Sequence, residues 1–320
     1  MTKIESLLGA SCYPTQYRYH AFGLNIQSDI PFPELLEQPA NTQDSEADIQ
    51  IVLSEKDSQI NAPVSESKHF AINHNEALLK GDGFSLTVVD GKQITVHCNQ
   101  IDQYRALIRL RILGAGIGLL LQQRGYLVLH GATVVGEKGA AVILGNSGDG
   151  KSTLCAQLVQ RGYRLLGDDK CALRFDGKAI YALPSLPYIK LSKHVIEQLG
   201  FSLHETMPIG ASHNKVYVNL SAAFEAKDVP MTTAIVLGRA DQVSLSALTQ
   251  MHTFDTFIQH SYRRQKLIGA GLHKTHFTQC HQMAQSITMS QYLRPLSEKG
   301  MSHLSPVFLK HIEELIGCGK

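Results

Sequence analysis

The chain reads Gly145-Asn146-Ser147-Gly148-Asp149-Gly150-Lys151-Ser152-Thr153 near its middle, which fits the pattern G-x-x-x-x-G-K-[ST] of phosphate-binding loops. Before it, residues 140–144 are apolar and partly β-branched, which predicts a buried strand. After it, apolar residues recur at helical spacing from Leu154 to Val159 and stop before Gly162, which predicts a helix. Strand, loop and helix in this order suit an anion, because glycines let backbone N–H groups turn inward and the helix adds its positive dipole end.

The whole stretch Gly145 to Thr153 is therefore predicted to bind the phosphates of ATP. Lys151 would reach the β- and γ-phosphates, and the Ser152 hydroxyl would hold Mg²⁺. We interpret Asp149 as a solvated position within the loop. The alternative is a glycine turn that matches the pattern by chance, and the two flanking patterns favour the binding loop.

Composition limits the other possibilities. The 320 residues are 43% hydrophobic and 18% charged, with a net charge of +2, which indicates a soluble globular protein without a nucleic-acid or membrane surface. Six scattered cysteines contain no C-x-x-C pair, so we expect reduced thiols in a cytoplasmic protein, several of them in the core. The first residues, Met1 to Glu5, are not followed by a long apolar run, so no signal peptide is predicted.

The most apolar stretch, residues 112–121, is too short and too closely bracketed by arginines to cross a bilayer. We predict instead a buried helix over 103–123, in which Gly114, Gly116 and Gly118 allow close packing against a neighbour.

The pattern changes along the chain. Residues 1–102 read as a β-rich region whose clearest element is a hairpin, 84–89 and 92–97, joined by the turn Asp90-Gly91. Residues 103–320 read as the nucleotide-binding domain, with short strands at 126–129, 140–144, 163–166, 171–175, 179–183 and 235–237. Helices are predicted from Thr253 to Tyr262 and from Pro306 to Ile316. The fold class is thus α/β with a β-rich N-terminal region.

Two acidic residues follow the strand at 163–166. In a parallel sheet, Asp168 and Asp169 would lie beside the loop at the carboxyl edge, where one could bind Mg²⁺ and the other accept a proton from a hydroxyl. A polar turn is the alternative. His130 follows the strand at 126–129, so it either reaches the same edge or is an ordinary core or surface histidine. The histidines show no metal-ligand spacing, so no zinc site is predicted.

These segments together resemble the catalytic core of the bacterial HPr kinase/phosphorylases, whose nucleotide fold is related to that of phosphoenolpyruvate carboxykinase. The resemblance covers residues 126–175 and rests on Leu129-His130-Gly131, the loop, Arg161-Gly162-Tyr163 and Leu166-Gly167-Asp168-Asp169. It implies that Lys151 and Ser152 serve the nucleotide and Mg²⁺. It also implies that Asp168 is the general base, Asp169 a metal-side carboxylate and His130 a neighbour of the reacting phosphate.

The rest of the chain departs from those regulators. The Glu-x-Arg-Gly signature associated with their phosphorylase activity is missing after the acidic pair. Residues 19–24 and 30–35 resemble instead the HPr-kinase-like proteins of ribosomal peptide clusters, including lasso-peptide kinases, some of which phosphorylate a serine of a precursor peptide. This second likeness makes HPr a doubtful substrate and the reverse reaction a doubtful activity.

Secondary candidates surround these motifs. Lys190 and Lys215 could contact phosphate or substrate, or could be solvated lysines at strand edges. The run Ser261-Tyr262-Arg263-Arg264 could supply a charge-stabilising arginine, although arginines in the last turn of a helix often only complement its dipole.

The sequence predicts an ATP- and Mg²⁺-dependent kinase that phosphorylates a hydroxyl, favouring a serine, of a peptide or protein, with a homo-oligomer left open. A small-molecule kinase on the same fold is one rival, and a nucleotide-binding module without turnover is another. The intact set Lys151, Ser152, Asp168 and Asp169 argues against the second.

Overall fold

The structure is a computed structural model. It describes residues 16–38, 45–57, 59–202, 204, 206–209, 214–295 and 304–319. The segment Met1 to Glu5 and Cys12 lie outside these ranges. The other five cysteines are free thiols, and three of them, Cys155, Cys171 and Cys280, are buried as the sequence predicts.

The N-terminal region is β-rich, as predicted. Within the described residues, one sheet of nine strands has the order β3-β1-β2-β4-β9-β8-β7-β6-β5. The strands are β1 Tyr17–Ala21, β2 Leu24–Ser28, β3 Leu36–Glu37, β4 Ile49–Ser54, β5 Ser65–Ser67, β6 Phe70–Ile72, β7 Glu76–Gly81, β8 Phe84–Val89 and β9 Gln93–Cys98. The predicted hairpin is β8 and β9. Its turn residues Asp90 and Gly91 have φ of 52° and 63°, a left-handed pair, and Lys92 N closes the turn with a hydrogen bond to Val89 O at 3.0 Å.

The predicted helix over 103–123 is three consecutive segments. These are α1 Ile101–Arg111, a π-helical segment Ile112–Gly116 and α2 Ile117–Gln123. Only Ile108 is buried in α1, so the expectation of a buried helix is wrong there and right from Ile112 onward. Gly118 packs against the Tyr262 ring, as close packing requires, whereas a Cβ on Gly114 would meet nothing within 4 Å.

A second sheet carries the glycine loop. It has the order β10-β14-β15-β19-β12-β11-β13 among the described residues, with β21 beside β19 and β20 beside β21. Its strands are β10 Leu127–Leu129, β11 Ala132–Gly136, β12 Gly139–Leu144, β13 Arg164–Gly167, β14 Cys171–Asp176, β15 Ala179–Leu183, β19 Val229–Arg239, β20 Ser244–Ala247 and β21 Thr288–Arg294. A smaller sheet joins β16 Tyr188–Ser192, β17 Thr206–Pro208 and β18 Lys215–Asn219.

The second sheet is mixed, so the expectation of a parallel sheet is wrong. Strand β12 pairs in parallel with β19, and β19 with β21, but β11 is antiparallel to both β12 and β13. Two antiparallel steps restore the direction, so β13 runs the same way as β12. The carboxyl ends of β12 and β13 therefore still meet at one edge of the sheet.

The remaining helices are α3 Lys151–Val159, α4 Lys193–Leu199, α5 Gln250–Gln259, α6 Arg264–Gly269, α7 His273–Ser286 and α8 Pro306–Ile316. The bounds of α8 are as predicted, because Ser305 caps Phe308 N and Pro306 opens the helix. Helix α5 begins and ends three residues earlier than predicted. None of the helices in the described ranges is both long and apolar enough to span a bilayer.

Helix α3 is held firmly against the second sheet. Its Leu154 and Leu158 belong to one buried cluster with Ile143 of β12, Ile235 of β19 and Phe308 of α8. Each of these side chains is completely buried. This core fixes where the loop between β12 and α3 can lie.

Candidate active site

The glycine loop links the end of β12 at Leu144 to the start of α3 at Lys151, so the predicted strand, loop and helix are confirmed. Gly145, Gly148 and Gly150 have φ of 150°, 90° and 85°, a backbone region that residues with a Cβ rarely adopt. The amide groups in the first turn of α3 have no partner inside the helix, so they are free to bind an anion.

Lys151 lies over the loop. Its Nζ donates hydrogen bonds to the backbone oxygens of Gly145, at 2.9 Å, and Asn146, at 3.1 Å. Burial lowers the pKa of Lys151, although the carboxylates Asp168, Asp149 and Asp169 raise it in part. The ammonium group is thus held in a poorly solvated place beside the mouth of the loop.

Asp149 is not a solvated position, so that interpretation is wrong. Its side chain is only 4% exposed, because it is packed against the loop backbone and Arg239. Its Oδ2 accepts a hydrogen bond from Asn146 N at 2.7 Å, and its Oδ1 accepts one from Arg239 Nε at 3.0 Å. Asp149 therefore fixes the shape of the loop rather than facing a ligand.

Two arginines that the sequence did not indicate support the same loop. Arg294 is 1% exposed, and its Nη2 lies 3.4 Å from Asp149 O and 3.3 Å from Gly150 O. Arg239 and Arg294 end β19 and β21, which run parallel with β12. Parallel strands bring their carboxyl ends to one edge of the sheet. Knowledge of the strand order would therefore have predicted that both arginines lie beside the loop.

Asp168 is coupled to the loop through Ser152. The Ser152 hydroxyl donates to Asp168 Oδ1 at 2.8 Å and lies 3.1 Å from Oδ2. The backbone N of Lys190 donates to Oδ2 at 2.9 Å. A hydroxyl and a carboxylate therefore stand together at the first turn of α3.

Asp169 faces cations instead. Its backbone is left-handed, with φ of 73°, and its Oδ2 lies 2.9 Å from Lys170 Nζ and 3.3 Å from Lys190 Nζ. Burial raises its pKa, but the charges of Lys170 and Lys190 outweigh burial and hold that pKa well below its usual range. Asp169 is consequently ionised at neutral pH.

His130 reaches this edge because β10 pairs with β14, with Leu129 opposite Cys171. Its Nδ1 lies 2.9 Å from the backbone oxygen of Asp169, which makes Nδ1 the protonated nitrogen of the neutral ring. Burial, and then the charge of Lys151, lower the pKa of His130. The imidazole is therefore mostly neutral at pH 7.

These residues surround one cavity of about 310 Å³. Its lining includes loop and helix residues 147, 148 and 150–153, together with His130, Asp168, Asp169, Lys190 and Lys215. The secondary candidates Lys190 and Lys215 thus lie in the site, as do Ser192 and Val195, which no sequence pattern indicated. Gly145, Asn146 and Asp149 belong to the loop but do not line the cavity.

The donor set fits a magnesium nucleotide. Hydroxyl and carboxylate oxygens are the ligands that Mg²⁺ prefers, and the cation usually keeps waters and binds substrate phosphates as well. Across the described ranges, no three His, Cys, Asp or Glu side chains gather closely enough to hold a metal by themselves. A cation beside Ser152 and Asp168 would thus depend on phosphate oxygens and water.

One comparison with known proteins gives a local sequence similarity. No family model matches the chain. A stretch of 93 residues, 28% of this chain, is 36% identical to an HPr kinase/phosphorylase from Exiguobacterium sp., and it spans 29% of the length of that relative. The similarity is local, and it supports the resemblance to HPr kinases for that part of the chain.

A solved structure, that of the Hpr(Ser) kinase/phosphatase from Coxiella burnetii, aligns with 58% of this chain and 93% of its own at 15% identity. The TM-score of 0.30 is too low to indicate a shared fold.

Proposed function

We propose that this protein is an ATP- and Mg²⁺-dependent phosphotransferase that moves the γ-phosphoryl group to a serine hydroxyl of a peptide or protein. The observation that carries the proposal is the hydrogen bond from Ser152 to Asp168, in the same cavity as Lys151 and the glycine loop. A loop hydroxyl next to a carboxylate is the pair that holds Mg²⁺ in enzymes with such loops. A cytoplasmic location, where ATP is abundant, is part of the proposal.

Each part of the site has a task in this scheme. The backbone amides of the loop, the first turn of α3 and Lys151 bind the β- and γ-phosphates, with buried Arg294 adding positive charge beneath them. When bound, Mg²⁺ would neutralise charge that develops on the phosphates during transfer. We propose that Ser152 and Asp168 would hold it, since they are hydrogen-bonded to each other beside the loop.

We assign the two carboxylates in the order opposite to the one that the resemblance implies. Asp168 accepts a hydrogen bond from the loop hydroxyl of Ser152, so we assign it to Mg²⁺. Asp169 pairs instead with Lys190 and Lys170, so we assign it to the acceptor hydroxyl. The acceptor oxygen attacks the γ-phosphorus, the bond from the γ-phosphorus to the leaving ADP oxygen breaks, and the hydroxyl proton passes to Asp169. A strong base is unnecessary, because phosphoryl transfer proceeds mostly by positioning and charge stabilisation.

His130 has a positioning role in this scheme. Its Nδ1–H holds the backbone of Asp169, and that backbone needs support because its φ is positive. The neutral ring adds no charge that would compete with Lys151 for the phosphates.

For the acceptor, we propose a precursor peptide, in line with the resemblance to the peptide-cluster branch. We also propose that the reverse, phosphate-driven reaction is weak, because the chain lacks the Glu-x-Arg-Gly signature. Without it, only lysines such as Lys190 and Lys215 remain to position inorganic phosphate as a nucleophile.

The test combines forward and reverse assays. Purified protein is incubated with Mg²⁺, ATP labelled on the γ-phosphate and serine peptides encoded by neighbouring genes, and the isolated phosphopeptide is then returned to the enzyme with excess phosphate. We expect labelled phosphoserine in the first step and little pyrophosphate in the second. Label on a sugar or small alcohol, but on no peptide, would favour the small-molecule rival. Tight ATP binding without any transfer would favour the non-catalytic module, and rapid pyrophosphate release would restore a bifunctional enzyme.

A further inference from the structure

We propose that a second, basic cavity between the N-terminal sheet and α6 docks an acidic and apolar segment of the acceptor polypeptide. This inference rests on the proposed function and specifies its substrate class. The cavity has a volume of about 110 Å³ and is separate from the phosphate site. We call it the basic pocket. Its walls are apolar side chains of β6 to β8 and cationic side chains of β7, α1, α6 and the turn before α6.

The floor of the basic pocket is apolar. Phe84 and Leu86 of β8 are buried, at 6% and 0% exposure, and half-buried Phe70 and Leu79 flank them. The volume suits one or two side chains rather than a folded domain. Such a floor would favour a segment that inserts an apolar side chain, because burial of apolar surface is its main source of affinity.

The rim is strongly positive. Four cations line it, Lys80, Arg111, Arg263 and Lys266, and no carboxylate lines it. None of the four forms an ion pair with any residue in the described part of the chain, although Lys266 Nζ lies over the ring of Phe70. Burial, and then the charge of Arg263, lower the pKa of Lys266, as expected where positive charges crowd together. A ligand with carboxylates on both sides of an apolar group would complement both rim and floor.

The placement of Arg263 supports a binding role. Helix α5 ends at Gln259, so Arg263 and Arg264 do not complement its last turn, and that sequence interpretation is wrong. They stand instead at the start of α6, where the helix dipole disfavours positive charge. Arg263 also has φ of 48°, a left-handed conformation that is costly for a residue other than glycine. Both features cost stability, and the Arg263 side chain lines the basic pocket.

Tyr262 contacts residues of both sites. Its ring has Arg263 Cζ of the basic pocket at 5.6 Å and Lys170 Nζ at 5.4 Å from its centroid. The ring of His130, which lines the phosphate site, lies 6.5 Å from it, centroid to centroid. One aromatic ring therefore links a cation of the basic pocket to residues that contact Asp169.

Helix α1 and the π-helical segment after it also connect the basic pocket with the acidic pair in the chain. Arg111 is followed directly by the π-helical segment, whose Leu113 and Gly114 line a narrow cavity beside Asp168 and Asp169. Residues adjacent to Arg111 in the chain thus line a cavity that the acidic pair also lines. An extended acceptor could place its serine at Asp169 and an upstream or downstream acidic segment in the basic pocket. The N-terminal sheet, which provides Lys80 and Phe84, then serves substrate selection.

Peptide binding tests this directly, without any need for turnover. Three fluorescein-labelled peptides share one serine and differ only in a flanking segment, Glu-Leu-Glu, Gln-Leu-Gln or Lys-Leu-Lys, and anisotropy gives their affinities at low and high salt. We expect the acidic peptide to bind about five- to tenfold more tightly than the neutral one, with the preference lost at high salt.

The double variant Lys80→Gln, Arg111→Gln should remove this preference for the acidic peptide and leave the ATP affinity, measured by calorimetry, unchanged. Lys178→Gln, an exposed site on the β14–β15 turn, is the matched control.

Each outcome has a distinct meaning. Equal affinity for the three peptides, or an equal loss in Lys178→Gln, would overturn the docking proposal. Displacement of the acidic peptide by inorganic phosphate at constant ionic strength, without a charge preference among the peptides, would assign the pocket to a small anion and overturn it too. A charge preference without phosphoryl transfer would support docking and defeat the kinase proposal, whereas transfer without a preference would do the reverse.

Discussion

The two large sheets of this protein are built in different ways. In the N-terminal sheet most neighbours are also neighbours in sequence, as in the runs β5 to β9 and β1 to β2. In the second sheet, β12 pairs with β19, so that Ala140 lies opposite Met231, and β19 pairs with β21, so that Thr233 lies opposite Thr288. Local hairpins dominate one sheet and long crossovers dominate the other.

This difference explains where the candidate active site lies. A hairpin ends in a tight turn whose residues are chosen for backbone conformation, as at Asp90-Gly91. Crossovers bring strand ends from distant parts of the chain to one edge, which here collects the glycine loop, Asp168, Arg239 and Arg294. We therefore expect changes at that edge to reduce activity and changes in the N-terminal hairpins to reduce stability.

The largest effect should come from Lys151→Ala. Removal of this cation from the phosphate site should reduce phosphoryl transfer by about a hundred- to a thousandfold, as loss of one preorganised charge contact commonly does. The melting temperature should be kept, because burial already disfavours the charged ammonium. Single-turnover assays and thermal denaturation measure the two effects, with exposed Lys92→Ala in the N-terminal hairpin as the control. Unchanged turnover in Lys151→Ala would contradict the expectation that changes at this edge of the second sheet reduce activity.

The two residues of the acidic pair have different proposed roles, Mg²⁺ binding for Asp168 and proton acceptance for Asp169. Asp168→Asn and Asp169→Asn should each slow transfer by about a hundredfold or more, while nucleotide binding persists. Only Asp168→Asn should raise the Mg²⁺ concentration needed for half-maximal activity, because Ser152 bonds to Asp168 and not to Asp169. Magnesium titrations of both variants provide the measurement. If Asp169→Asn alone changed the Mg²⁺ requirement, the roles implied by the family resemblance would be correct.

In the N-terminal sheet, Gly91→Ala should affect stability alone. A Cβ at Gly91 would lie 3.1 Å from Arg124 N and 3.3 Å from Leu120 O, in a backbone with φ of 63°. We expect a loss of about 1–2 kcal/mol in the free energy of unfolding from the left-handed backbone, plus a contribution from these contacts. Gly177→Ala is the matched control, since its φ is 59° and a Cβ there would meet nothing within 4 Å. Urea denaturation should rank Gly91→Ala as the more damaging change, and an equal ranking would refute the steric part.

The smallest effect concerns His130. Its imidazole should titrate below about 6.5 in NMR spectra, since burial and the charge of Lys151 lower its pKa. Lys151→Ala should raise that pKa and Asp169→Asn should lower it further, because the Asp169 charge raises it. The unfolded chain then binds a proton more readily than the folded one, so the stability contribution of His130 is present above about pH 6.5 and is lost as the pH falls. Shifts of the opposite sign in the two variants would contradict this arrangement.

Local patterns were sufficient for much of the fold. The glycine loop between a strand and a helix, the β8–β9 hairpin and helix α8 each follow from residues close in sequence, because backbone conformation, capping and turn chemistry act over a few residues. The grouping of Lys151, Ser152, Asp168 and His130 around one cavity could be predicted because each motif follows or begins an element of the second sheet. The division at residue 102 stays a prediction, since α1 begins at Ile101 and continues into segments that pack with the N-terminal sheet.

Features that depend on the order of strands in the sheets could not be predicted from individual sequence segments. Asp149 looks solvated by composition but is buried, because Arg239 arrives from a strand about ninety residues away in the chain. The position of Arg294, the different partners of Asp168 and Asp169, and the basic pocket likewise depend on contacts between distant segments. The sequence alone determined the phosphate-loop motif and the hairpin, since these need only local backbone chemistry. The tertiary structure alone decided which charges meet, since the pairing of distant strands sets the distances and the burial on which electrostatic interactions depend.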